Sequence, residues 1–279
     1  MRWTPGDRSN IDDERGRTGG RALPIGIGGF VILLLLSWAT GTDFLSLLTQ
    51  QGSPTETIGT TGDRPPATTP AEERTVDFVD AVMNDAQNTW ANLIGSRYRR
   101  TQVVLFRDAI QSACGSADSA TGPFYCPGDQ KVYLDIGFFE ELSQRFGAPG
   151  DFAQAYVITH ELGHHIQNLM GLAVGASSRP GPNSASVALE LQADCFAGVW
   201  GHAASADGRF EAGHVQLEPG DADEAIRAAG AIGDDRLQKM ATGRVMPDRF
   251  THGTSAQRVA SFKRGFDTGD PRVCETAAR

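Results

Sequence analysis

The chain has 279 residues, with 25 Lys and Arg against 34 Asp and Glu, for a formal net charge of −9. That balance argues against a nucleic-acid partner, which needs a basic patch to meet the phosphate backbone. The length allows one sizeable folded domain beside accessory segments, and neither a Gly-rich phosphate loop nor a GxSxG nucleophile motif is present.

Residues 22–42 form an uncharged run of 21, with its apolar centre at 30–36. About 20 apolar residues cross a bilayer as a helix, so the length fits. Arg15, Arg17 and Arg21 precede the run, and the next basic residue is Arg64. The positive-inside rule then sets the N-terminus in the cytoplasm and the remainder outside. No A-x-A site follows, which favours an uncleaved anchor over a signal peptide. Residues 49–74 are rich in Thr, Pro, Gly and Ser and nearly free of large apolar side chains, the composition of a flexible stalk. The expected organisation is a cytoplasmic segment at 1–21, a single-pass transmembrane helix at 22–42, a stalk at 43–75 and a folded domain at 76–279. The expected location is the cell membrane, with that domain on the extracytoplasmic side.

Within the domain, Val76, Val79, Val82, Ala86, Trp90 and Leu93 recur at helical spacing over 72–93. Residues 101–106 and 131–135 are rich in β-branched residues and read as short strands. A short helix is expected over 138–146. Over 151–170 the residues Phe152, Ala155, Val157, Ile158, Leu162, Ile166 and Leu169 give a longer helical pattern that stops at Gly171. A second covers about 184–203, capped by Ser184 or Ser186, and further helices are expected over 221–241 and 255–266. One helix, a small sheet and then mostly helices make an α+β domain with the sheet beside helix 151–170.

That helix carries His160-Glu161-Leu162-Gly163-His164, the HExxH pattern. Positions i and i+4 share a helix face, so both imidazoles can grip one Zn2+ ion. Glu161 lies about 100° around the helix, placed to act as general base on water activated by the metal. Catalytic zinc takes three protein ligands. The next helix holds Glu190-Leu191-Gln192-Ala193-Asp194, again with carboxylates at i and i+4. The apolar residues around them bury this helix, and buried carboxylates need partners. Glu190 is therefore assigned to the metal. Asp194 is assigned to the outward ring nitrogen of a ligand His, first of all His160, fixing its tautomer. His165 points away from the ligand face and reads as structural, as do Tyr125, Tyr133 and Tyr156. Asp234-Asp235-Arg236 reads as a solvated helix face or a helix break. The four cysteines fit an oxidising compartment. Three pairings exist, and the most economical joins Cys114 to Cys126 and Cys195 to Cys274.

HExxH followed by ExxAD resembles the gluzincin arrangement of thermolysin-like zinc proteases. The longer phrases 122–135, 160–165, 220–225, 231–238 and 250–258 resemble the neutral zinc metallopeptidase family of bacterial membrane-anchored proteins, over roughly 77 to the C-terminus. The resemblance implies a gluzincin-like, mostly helical domain, bound zinc and a protein or peptide substrate. It also implies a downstream His that steadies the oxyanion, for which His252 is the candidate. An edge strand beside the motif helix would align substrate by backbone pairing, and Lys131–Asp135 is the candidate. The alternative is a membrane-tethered binding or assembly factor with a structural or vestigial zinc site, in which Glu161 would have no use.

Overall fold

The computed structural model describes residues 1–16, 68–172, 180–210 and 214–275. Its first element is a strand in the N-terminal arm, β1 (Ile11–Asp13). Next comes α1 (Pro70–Ile94), which starts on a capping box: Thr69 Oγ1 accepts from the Glu72 amide and the Glu72 carboxylate accepts from the Thr69 amide, with Pro70 in the first turn. The helix therefore begins two residues before its expected start at 72.

Five strands follow: β2 (Val103–Phe106), the hairpin β3 (Ala109–Ser112) and β4 (Gly115–Asp118), then β5 (Phe124–Cys126) and β6 (Lys131–Asp135). The remaining helices are α2 (Phe138–Gln144), α3 (Asp151–Met170), α4 (Ala185–Ala204), α5 (Asp221–Ala231), α6 (Asp234–Thr242), α7 (Ser255–Thr268) and α8 (Arg272–Glu275). The α+β expectation, mostly helical with a small sheet, holds. The helix expected over 221–241 is two helices, because Gly233 is extended (φ −72°, ψ 145°) and packs so tightly that a Cβ there would sit 2.3 Å from the Ser255 amide nitrogen.

The main sheet has the order β1-β2-β6-β5. Strands β1, β2 and β6 run parallel and β5 is antiparallel to β6, with Tyr125 opposite Val132. The expectation that Lys131–Asp135 is an edge strand is thus corrected: β6 is paired on both sides, and the edge beside the motif helix is β5. All four β2 residues are buried, and on β6 only Lys131 is partly exposed. Such continuous apolar runs suit inner strands covered on both faces.

Helix α3 runs through the core. It meets β5, β6, α1, α4 and α5, burying Phe152, Tyr156, Leu162 and Ile166 completely. Two close crossings set the helical layer. A Cβ at Gly163 of α3 would lie 2.9 Å from Ala193 Cα of α4, and one at Gly198 of α4 would lie 2.1 Å from the Phe262 carbonyl oxygen of α7. Only hydrogen in place of a side chain permits such approach. Both expected disulfides form, Cys114–Cys126 and Cys195–Cys274, the second tying the C-terminal region to α4.

The sequence reading sets 1–21 apart from the domain, whereas the structure builds residues 1–16 into the same folded unit through β1. The span expected at 22–42 lies outside the described residues, as do residues 43–67 of the expected stalk. Among the described residues no helix is long and apolar enough to cross a membrane.

Candidate metal centre

His160 and His164 project from successive turns of α3 toward Glu190 on α4, and Gly163 on the same helix lets α4 come close enough for them to meet. One donor atom from each of the three residues lies within 4.8 Å of the others. His160 Nε2 is 3.1 Å from Glu190 Oε2, and His164 Nε2 is 3.5 Å from Glu190 Oε1. Two neutral nitrogens and a carboxylate with this convergence suit zinc, which favours N and O donors in a tetrahedral set with one position left open.

Each imidazole is steered from behind. Asp194, fully buried, accepts from His160 Nδ1 at 2.8 Å, which turns Nε2 toward Glu190 and leaves it as the nitrogen able to take a metal. The remaining donors to Asp194 come from residues that sequence reasoning missed in this role. Tyr156 gives its hydroxyl at 2.5 Å, and Arg258 on α7 gives Nε and Nη2 at 2.9 Å each. His164 is served by Gln167, whose Oε1 accepts from Nδ1 at 2.9 Å. The Gln167 amide nitrogen is spent on the Leu189 carbonyl at 2.6 Å and on Gln192 Oε1 at 3.1 Å, so its oxygen must face the imidazole. Gln167 was readable only as a polar residue on a buried helix face; Arg258 carried no local signal.

The electrostatics favour a cation at this point. Burial alone would lower His160, but Asp194 and Glu190 outweigh it and raise its pKa to about 10. Burial would raise Glu190, but the two imidazoles hold it well below the usual carboxylate range. Burial likewise opposes Asp194, and the Arg258 guanidinium with His160 brings it down to about 2. Glu161, 7% exposed, has its carboxyl pushed above the ordinary carboxylate value by burial, against the pull of His160 and His164.

The metal-facing residues open into a cleft of about 890 Å3. Glu161 and His252 line it, and β5 contributes Phe124 and Tyr125. Asp234, nearly buried at the start of α6, accepts the backbone amides of Thr251, His252 and Gly253 at 2.7–3.0 Å on one oxygen and turns the other to His252 Nδ1 at 3.3 Å. It is thus neither a solvated helix face nor idle, correcting the sequence reading. That contact with Asp234, opposed by burial, raises the His252 pKa. The tyrosines are occupied: Tyr125 bonds His165 at 3.1 Å and Tyr133 bonds Asp129 at 2.7 Å. His165 is fully buried and donates Nε2–H to the Arg99 carbonyl at 2.7 Å, a packing role as expected. A second convergence, Asp151, Asp221 and Glu224, is of another kind, since the Met1 ammonium sits 3.2 Å from both aspartates.

Comparisons with known proteins agree on one family. The profile of the family described as "Putative neutral zinc metallopeptidase" matches residues 1–277. The "Uncharacterized protein YpfJ" of Escherichia coli (strain K12) is 41% identical over 295 aligned residues, covering 99% of this chain and 98% of that protein. The "Uncharacterized protein Rv2575" of Mycobacterium tuberculosis (strain ATCC 25618 / H37Rv) is 43% identical over 203 residues, covering 71% of this chain and 69% of that protein. No solved structure matches the chain.

Proposed function

The chain belongs to the neutral zinc metallopeptidase family, and from that premise we propose that it is a zinc-dependent peptidase, its metal held by His160, His164 and Glu190. The observation that carries this reading is the placement of Glu161. It is buried on the same helix as the two His ligands and faces the cleft that a substrate would enter. A purely structural metal site takes four protein ligands and has no need of that carboxylate.

Zinc held at this site supplies Lewis acidity, polarising a carbonyl oxygen and lowering the pKa of water. Glu161 takes the proton of the attacking water and passes it to the departing amine. His252, whose protonated form Asp234 favours, donates to the oxyanion as it forms. Asp194 and Gln167 keep both imidazoles in the tautomer whose Nε2 carries a lone pair. The edge of β5, unpaired among the described residues, offers backbone groups to an extended polypeptide. Apolar walls from Phe138, Phe146, Leu237 and Met240 favour a bulky apolar side chain next to the scissile bond, while Glu141 and Arg145 on the rim pair with each other. Attachment to a membrane through residues 22–42 belongs to the same proposal.

The direct assay is a peptide library read by mass spectrometry, with the zinc-loaded protein and after chelation. Cleavage that stops on chelation and returns with added zinc is the expected outcome. Stoichiometric zinc with no chelator-sensitive cleavage would instead favour the binding or assembly factor.

A further inference from the structure

Residues 1–16 join the domain from the far side of the sequence run 17–67, and they do so through its core. β1 pairs in parallel with β2, Ile11 opposite Val103 and Asp13 opposite Leu105, with Val103 N donating to Asn10 O and Glu14 N to Leu105 O at 2.8 Å. Without β1 the four-residue strand Val-Val-Leu-Phe would present an open apolar edge. Nearer the start, Arg2 and Gln216 exchange two backbone hydrogen bonds of 2.9 and 3.0 Å.

Side chains of the domain are matched to the arm. Asp80 of α1, fully buried, accepts the Arg8 amide at 2.9 Å, the Asn10 amide at 3.2 Å and Asn10 Nδ2 at 2.8 Å. Gln87, one face of α1 further on, gives Nε2 to Asn10 Oδ1 at 2.8 Å. The arm passes Asp80 so closely that a Cβ at Gly6 would lie 2.2 Å from its Oδ2. Arg15, nearly buried, holds Asp13 at 2.7 Å and Glu73 at 2.9 Å, and Lys131 reaches Asp12 at 2.7 Å. Six separate contacts of about 3 Å cannot bridge a hydrocarbon core about 30 Å thick.

We propose that the N-terminal arm and the metal centre lie on the same face of the membrane, which replaces the single-pass arrangement with a cytoplasmic N-terminus. The single uncharged run of 21 residues at 22–42 has the length for one crossing of about 20, which would part the two faces, and is too short for two. The two disulfides put that face in an oxidising compartment and take the arm there with the domain. An arm donated by a second copy would obey the same constraint.

The test uses the full chain with one added thiol at a time, Ser9→Cys in the arm or Ser96→Cys in the turn after α1, both exposed. The native cysteines are all in disulfides and do not compete. A membrane-impermeant maleimide is applied to intact cells and, as a control, to lysed ones. Both positions labelled in intact cells is the expected result. One labelled and the other protected overturns the shared face, and both protected overturns its assignment to the oxidising compartment. A second variant, Arg2→Cys with Gln216→Cys, places thiols on an antiparallel hydrogen-bonded pair whose Cα separation of about 5.5 Å suits a disulfide. An intramolecular cross-link in membranes is expected, and its failure to form counts against the same-face arrangement. Neither readout involves catalysis, so a failed peptidase reading would leave both untouched.

Discussion

A buried carboxylate is costly unless its acceptor sites are filled, and Asp194 has donors from Tyr156, His160 and both Nε and Nη2 of Arg258. Its charge is thereby balanced by Arg258, leaving it free to orient His160 without demanding the imidazole proton for itself. The His252–Asp234 pair makes a sharper prediction. In the proposed mechanism protonated His252 is the donor to the oxyanion; Asp234 raises its pKa, so the protonated form is favoured below the raised value and is lost as pH rises through it. Asp234→Asn removes that support, and the alkaline limb of the kcat/KM profile should move to lower pH, while His252→Ala should cost roughly 10²–10³ in kcat. An unmoved alkaline limb in Asp234→Asn would remove His252 from the oxyanion role. At this scale HExxH and ExxAD were legible because i, i+4 spacing is a property of the helix alone. Tyr156, Gln167 and Arg258 were not, because their roles exist only once α3, α4 and α7 have packed together. Asp234 looked solvated for the same reason: the loop whose amides it accepts is 17–19 residues away in sequence.

Among the elements, the crossing of α3 and α4 decides whether a third ligand reaches the His pair. Helix propensity favours Ala over Gly by about 1 kcal/mol, so Gly163→Ala would stabilise an uncrowded helix. Here the added Cβ meets Ala193 backbone at 2.9–3.0 Å, and overpacking of that kind costs about 1–3 kcal/mol. The variant should therefore lower the thermal midpoint and weaken zinc binding by drawing Glu190 away. A raised midpoint with unchanged zinc affinity would show the crossing to be looser than described. The helices were legible from apolar period and caps; strand order was not. Periodicity identifies 131–135 as a strand but says nothing of its neighbours, and β5 is a three-residue Phe-Tyr-Cys segment too short to carry a pattern. The break between α5 and α6 was offered only as one of two readings of 234–236, since what fixes it is Gly233 meeting Ser255 across the fold.

At the scale of the whole molecule, β5, α2, α3, α4 and α6 line one cleft with the candidate metal centre facing into it. Composition suggested a domain behind an anchor and stalk, and the arm escaped notice because β1 is three residues long and polar at two of them. What favours the proposed peptidase over a metal-stabilised scaffold is the division of labour between His160, His164 and Glu190 on one side and Glu161 on the other. The measurement that separates the two is zinc content beside turnover for Glu161→Gln. The account predicts stoichiometric zinc, an unchanged thermal midpoint shift on chelation and a loss of peptide hydrolysis of roughly 10²–10⁴-fold. Hydrolysis at the parent rate by a zinc-loaded Glu161→Gln protein would contradict it.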